Sequence, residues 1–226
     1  MKLVHPEFNY RMEFKENKIN LVVIEDKKLF RNYIKEIYNQ SIDYDDNGRF
    51  VLSDNEKEIK LSKKLDVILD YYTLNINNKK ILLKVYNKLR EISIEEDMYI
   101  KTNKLNSEII RYIDDIIDIS DFPLEFSIDI NIIDILKISN VRFVEDYEND
   151  LEKICHYIDL VKEVTGKNIF AFINFREFFE LDEIRELYKF ASYKKIYLIM
   201  FENHINDICR EYEEVFILDK DICEIY

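Results

Sequence analysis

Gly48 and Gly166 are the only glycines in this 226-residue chain, and only two prolines accompany them. Average usage would supply roughly 16 glycines and 11 prolines at this length. Glycine is the residue that lets backbone enter φ > 0 and approach a ligand closely. Two glycines so far apart cannot share one turn. The Walker A loop, the G-x-G-x-x-G dinucleotide loop and the G-x-S-x-G nucleophile elbow are thereby excluded. Collagen-like and Pro/Gly-rich disordered classes go with them.

Hydrophobic residues make up 47% of the chain, enough for a core, and a chain of this size buries roughly 70–75% of its unfolded surface. The length suits one large domain or two small ones. With 35% charged and 14% aromatic residues, the composition is that of a folded globular protein. Lys and Arg number 33 against 46 Asp and Glu, a balance of −13. That charge opposes generic, salt-driven binding to nucleic acid or an anionic membrane. No apolar run reaches the ~18–20 residues of a membrane span, and residues 1–18 lack the apolar core of a secretory signal. Cys155, Cys209 and Cys223 form no C-x-x-C pair. They are expected to be reduced thiols in a cytoplasmic protein.

Ile19–Ile24 is a β-branched run that predicts a buried strand. Asp26 follows as a candidate N-cap for a helix with Leu29, Phe30, Tyr33, Ile37 and Tyr38 on one face. A turn is expected over Asp43–Arg49, then a hairpin pairing Phe50–Leu52 with Glu56–Leu61. Over 62–140 the period becomes helical. Leu65, Ile68, Leu69 and Tyr72 predict one helix, and Ile81, Leu82, Val85 and Leu89 a second. Leu105, Ile109, Tyr112, Ile113 and Ile116 predict a third. Pro123 breaks the pattern, Ile130–Ile138 predicts a short helix, and the β-branched signal returns at Val141–Val144. Leu151, Ile154, Ile158 and Val161 mark a further helix, for which Gly166 is a candidate C-cap. Apolar strands are expected at Ile169–Ile173, Ile196–Phe201 and Val215–Leu218, with a helix through Leu181, Ile184, Leu187 and Ala191. Strands alternating with helices imply an α/β fold with a parallel sheet covered on both faces. The expected organisation is an α/β domain over 1–61 and 141–226, with an α-helical domain inserted at 62–140.

The chemistry expected at a nucleotide site is missing. The turn after the first apolar strand is Glu25-Asp26-Lys27-Lys28, and a phosphate there would meet two carboxylates and no glycine. Of the three histidines, His156 adjoins Cys155, but neighbouring helix residues point about 100° apart and form no dyad. Residues 114–134 are dense in carboxylates: Asp114 and Asp118 share a helix face, and Glu125, Asp129 and Asp134 follow. Such crowding is either a solvated acidic face or a place for a cation. A carboxylate-dependent metal nuclease is a second reading, and an acidic protein-interaction module a third. Lys57, Lys60, Lys63 and Lys64 form a basic patch, with Lys79, Lys80 and Lys84 another. Singly these are solvated faces; repeated around a symmetric ring they would meet several phosphates together.

Four stretches in order resemble the CRISPR-associated Csn-two family of type II-A systems. They are INLVVIEDKKLFRNYI at 19–34, FPLEFSIDINIIDILKISNVRFVE at 122–145, NIFAFINFREFFELDE at 168–183 and the C-terminal ILDKDICEIY. The resemblance implies a parallel-sheet head with a degenerate P-loop-like core and an inserted α-helical leg. It implies a non-catalytic homotetrameric ring that encircles double-stranded DNA, binds its ends and acts in spacer acquisition beside the CRISPR integrase pair and the type II effector nuclease. It also implies bound Ca²⁺, for which it puts forward Glu125, Asp129 and Asp134, and places a basic segment near Lys57–Lys64.

Overall fold

Strands too apolar to face water on either side run through the middle of the larger sheet. The computed structural model describes residues 1–44, 48–205 and 207–226. In chain order it contains β1 (Lys2–Val4), β2 (Met12–Glu13), β3 (Ile19–Ile24), α1 (Lys27–Ser41), β4 (Val51–Asp54), β5 (Lys57–Ile59) and β6 (Leu65–Ile68). There follow α2 (Lys79–Ser93), α3 (Glu96–Ile119), α4 (Ile132–Ile138), α5 (Asp150–Thr165), β7 (Ile169–Ile173), α6 (Leu181–Tyr193), β8 (Tyr197–Glu202), β9 (Glu213–Leu218) and β10 (Glu224–Ile225). The chain divides into two compact units, 1–75 with 146–226, and 76–145.

The first unit is mixed α/β. Its six-stranded sheet has the order β10-β9-β3-β8-β7-β6. All strands from β9 to β6 pair in parallel, and β10 is antiparallel to β9. Every residue of β3 and β7 is buried, as parallel strands covered on both faces require. Side chains alternate between faces. Val22, Ile24, Ala171, Ile173, Ile199 and Phe201 join a core cluster with Tyr33, Ile34 and Ile37 of α1. Phe170, Phe172, Leu198 and Met200 are equally buried on the opposite side, where α5 and α6 bury Ile154, Ile158, Leu187 and Tyr188.

The hairpin over 50–61 forms as β4 and β5, and it belongs to a second, four-stranded antiparallel sheet, β2-β1-β4-β5. The N-terminal strands β1 and β2 were not expected. They are two or three residues long, too short for a periodic signal. The centre of the turn expected at 43–49, residues 45–47, lies outside the described residues.

The helix expected through Leu65, Ile68, Leu69 and Tyr72 is not formed. Leu65–Ile68 is instead strand β6, in register with β7 from Leu65↔Ile169 to Ile68↔Phe172. Leu65 and Ile68 are buried, whereas Leu69 and Tyr72 are exposed. An i, i+3 apolar pair fits a short strand end to end as well as a helix face, and pairing with β7 decides between them. Residues 62–75 thus stand with the α/β unit. Val141–Val144 forms no strand.

The second unit is helical. Asn78 caps α2, its side chain accepting from Lys80 N–H and Ile81 N–H at 3.1 and 3.0 Å. Tyr86 of α2 donates to the Val141 carbonyl at 2.7 Å. Asn77 brackets Phe143, accepting from its N–H at 2.8 Å and donating to its carbonyl at 3.2 Å. Its buried apolar residues are few: Ile76, Ile81, Tyr86 and Ile133. No residue of the 24-residue α3 is fully buried, and Ile109, Ile110, Ile113 and Ile117 are half-buried.

Gly166 ends α5 at φ 76°, its N–H bonding the Lys162 carbonyl at 2.9 Å. A Cβ there would meet no neighbour within 4 Å, so only the left-handed backbone demands glycine. Gly166→Ala is expected to cost about 1 kcal/mol in urea unfolding. A loss beyond about 3 kcal/mol would show a role other than the cap.

Between the small sheet and α1 lies a closed polar knot. His5 is buried against Phe8, Tyr33 and Phe50, with ring centroids 5.0, 5.1 and 4.6 Å away. Arg49 binds Glu36 through two guanidinium nitrogens at 2.9 and 3.2 Å and also reaches Glu7. Tyr33 donates to Glu7 at 2.6 Å. Burial holds the His5 imidazole below its usual 6.5, over the opposing pull of Glu36 3.5 Å away. The unfolded chain then binds the proton first as pH falls. The stability that neutral His5 contributes is complete above 6.5 and declines below it. Thermal melts from about pH 7.5 to 5 should show this decline in the difference between the wild type and His5→Phe, in which the other titrating groups cancel. Equal slopes in both proteins would refute the assignment.

Candidate functional site

The carboxyl ends of parallel strands are where an open α/β sheet ordinarily holds its ligand. Here the turn from β3 into α1 is closed by the chain itself. The Asp26 side chain accepts from Lys28 N–H at 3.0 Å and Leu29 N–H at 2.8 Å. Glu25 N–H is bonded to the Leu218 carbonyl at 3.0 Å. Amides that a phosphate would need are already satisfied by a carboxylate. Asp26 therefore acts as the helix cap that the sequence implied, and occupies the anion position.

Beside this turn lies a cluster the sequence reading missed. Glu202 ends β8, paired in register with Val23 of β3, and is 1% exposed. It accepts a hydrogen bond from Arg176 N–H at 3.3 Å. The Arg176 guanidinium turns instead to Glu213 of β9 and to the Asp207 carbonyl. Glu213 also accepts from Tyr188 Oη at 2.6 Å and Cys209 N–H at 2.7 Å. Burial pushes the Glu202 carboxyl up to about 7. The signal was present in the sequence: Glu202 closes the otherwise apolar run Tyr197–Phe201.

Among the described residues, no histidine is hydrogen-bonded to a cysteine. His156 bonds Tyr147 at 2.8 Å, and burial pushes the neighbouring Cys155 thiol up to about 12, away from the reactive range. His204 pairs with Glu177 at 2.8 Å.

The carboxylates put forward for a cation lie in the helical unit and are all exposed. Glu125 and Asp129 sit in the irregular segment after α3, and Asp134 is in the first turn of α4, bound to Lys137 at 2.9 Å. They are not gathered: among the described residues no group of three or more His, Cys, Asp or Glu stands close enough to hold a metal ion. The donor set therefore does not fit a preformed Ca²⁺ cage in the single chain.

The four lysines lie in the α/β unit on consecutive pieces of chain. Lys57 is on β5, Lys60 and Lys63 belong to the turn that follows, and Lys64 leads into β6. Lys57, Lys60 and Lys63 are exposed and Lys64 is half-buried. Lys60 is held by Asp43 at 2.9 Å. The Lys64 carbonyl anchors the start of β7 through Asn168 and Ile169 N–H.

The most distinctive surface is α3. Tyr99, Ile100, Leu105, Tyr112, Ile116 and Ile119 are exposed large apolar residues on this one helix. Among the described residues, no helix is long and apolar enough to cross a membrane.

Comparison with known proteins converges on one family. A protein named CRISPR-associated protein Csn2, from Streptococcus agalactiae, is 22% identical over 204 residues, covering 89% of this chain and 87% of that protein. The model of the family described as CRISPR-associated protein (Cas_Csn2) matches residues 43–222, from the end of α1 to the approach to β10. That match spans far more than half of the chain, which therefore belongs to the CRISPR-associated Csn2 family.

Proposed function

We propose that this chain is a non-catalytic, ring-forming protein that binds double-stranded DNA at its ends during spacer acquisition. In this reading the α/β unit is the head and the helical unit the leg. Four copies make the ring, which works beside the integrase pair and the type II effector nuclease. The observation that carries it is α3, a 24-residue amphipathic helix on which no residue is fully buried and Leu105, Tyr112, Ile116 and Ile119 are exposed in the single chain. Monomers rarely leave apolar stripes of that length in water, and copies of the same chain are a natural cover. Asp26 in the anion position supports a sheet that hydrolyses no nucleotide. Lys57 and Lys63, exposed on the α/β unit, would repeat once per copy and offset the −13 of each chain.

Calcium stands on the family resemblance, because Glu125, Asp129 and Asp134 are not gathered in the single chain. It enters the test as a variable. The mass in solution is measured by light scattering with Ca²⁺ or chelator, and binding by gel shift on linear and closed circular duplex. A four-chain mass and a shift on linear DNA alone are expected. Ile116→Glu should reduce the mass, and Lys57→Glu with Lys63→Glu should weaken binding and flatten its salt dependence. A monomer that shifts neither DNA form refutes the reading. Cleavage of end-labelled DNA with Mg²⁺ or Mn²⁺ would favour a nuclease instead.

A further inference from the structure

Two carboxyl groups and one guanidinium are buried along the parallel sheet, Glu202 at the carboxyl end of β8 and Glu213 at the amino end of β9 with Arg176 reaching both, and they do not balance. The side chains of Glu213 and Arg176 are 0% and 9% exposed, and the two form an ion pair. Glu213 has a full set of donors: the guanidinium, the Tyr188 hydroxyl and the Cys209 amide. Glu202 is left with backbone amides from the Phe175–Glu177 turn, Arg176 N–H at 3.3 Å among them. Among the described residues it has no ion pair. A buried carboxyl without a cation is most cheaply accommodated as the neutral acid.

The surrounding groups do not restore the balance, although the Arg176 guanidinium favours the carboxylate through space. The turn presents Arg176, committed to Glu213, and Glu177, whose charge opposes a second one at Glu202 and is paired with His204. After β6, the Tyr71 hydroxyl is fully used, donating to the Ile173 carbonyl at 2.6 Å and accepting from Ile173 N–H at 3.0 Å. From α6 comes Tyr188, and from the β8–β9 connection Cys209, both turned to Glu213. On β3 the paired residues from Asn20 to Val23 bring no charge. Asn174, at φ 51°, ties the turn to β8, its N–H donating to the Phe201 carbonyl at 2.8 Å and its side chain accepting from Asn203 N–H at 3.1 Å. Whatever loosens Glu202 thus acts on the 174–177 turn and the start of the 203–205 segment together.

We propose that Glu202 carries a proton in the folded chain and is a proton-responsive latch at the carboxyl edge of the sheet, whose deprotonation loosens the 174–177 turn and the 203–204 backbone. The folded state then binds a proton that the unfolded chain releases at an ordinary carboxyl value of 4.5, while burial holds it to about 7. The latch is fully stabilising below 4.5, and its contribution is lost as pH rises through that window.

Glu202→Gln keeps the shape and removes the titration. The ratio of the wild-type folding constant to that of Glu202→Gln should fall by up to about tenfold per pH unit within the window and level off above it. In the same series, the amides of 174–177 and 203–204 should lose hydrogen-exchange protection above about pH 7 in the wild type only. The comparison cancels the contribution of His5. A ratio that does not change with pH overturns the proposal. Should Glu202→Gln fail to fold, the wild type decides alone. Infrared spectra of the ¹³C-Glu-labelled protein should show a protonated-carboxyl band at about pH 6 that disappears by about pH 8.5. Absence of that band at about pH 6 overturns the proposal equally.

Discussion

Arg176→Ala is expected to destabilise the α/β unit by about 3–5 kcal/mol, because removing one partner of a buried ion pair strands the other charge. Glu213 would remain inside with the Tyr188 hydroxyl and the Cys209 amide as donors but no cation. Much of the loss is the penalty of the stranded carboxylate, so the second substitution is informative. Arg176→Met combined with Glu213→Gln should recover a large part of the deficit, since no uncompensated charge is then buried. Urea unfolding of the wild type, the single variant and the double variant measures both effects. A single-variant loss below about 1 kcal/mol would mean that the pair behaves as a surface bridge.

The second large effect is expected from Phe201→Ala. Phe201 is 0% exposed at the centre of the six-stranded sheet, in register with Val22 of β3 and Ile173 of β7. It packs into the cluster that joins the sheet to α1 and the smaller sheet. Strands on both sides prevent collapse onto the space left behind, so the cavity persists. Such truncations cost about 3–5 kcal/mol, a fall in melting temperature on the order of 10 °C. Tyr193→Ala, on an exposed side chain of the same unit, should stay within about 0.5 kcal/mol. Equal effects at the two positions would contradict the burial pattern.

Much of the architecture was legible in the residues. Leu151, Ile154, Ile158 and Val161 all turn inward on α5, as their spacing predicts. Ile184, Leu187 and Ala191 do so on α6. Asp26 and Gly166 cap the helices they were expected to cap. These signals are local, since capping needs only three or four residues and amphipathicity only one element. Leu65–Ile68 was misread because four residues hold too little periodicity to separate strand from helix. The stripe on α3 was legible as a pattern, yet its spacing alone did not reveal that the single chain leaves Leu105, Tyr112 and Ile116 exposed while half-burying Ile109 and Ile113.

The sequence by itself determined the alternation of buried strands and amphipathic helices, the caps and the absence of a glycine-built phosphate loop. Each of these follows from backbone conformation and side-chain polarity over short stretches of chain. Tertiary structure alone decided the membership of β6 in the sheet, the joining of the N-terminal strands to the hairpin and the separation of Glu125, Asp129 and Asp134. It also brought Arg176 to Glu213 and Glu202 across 37 and 26 positions of chain. Strand order and the pairing of the one buried cation with Glu213 rather than Glu202 depend on contacts distant in sequence, which neither periodicity nor composition encodes.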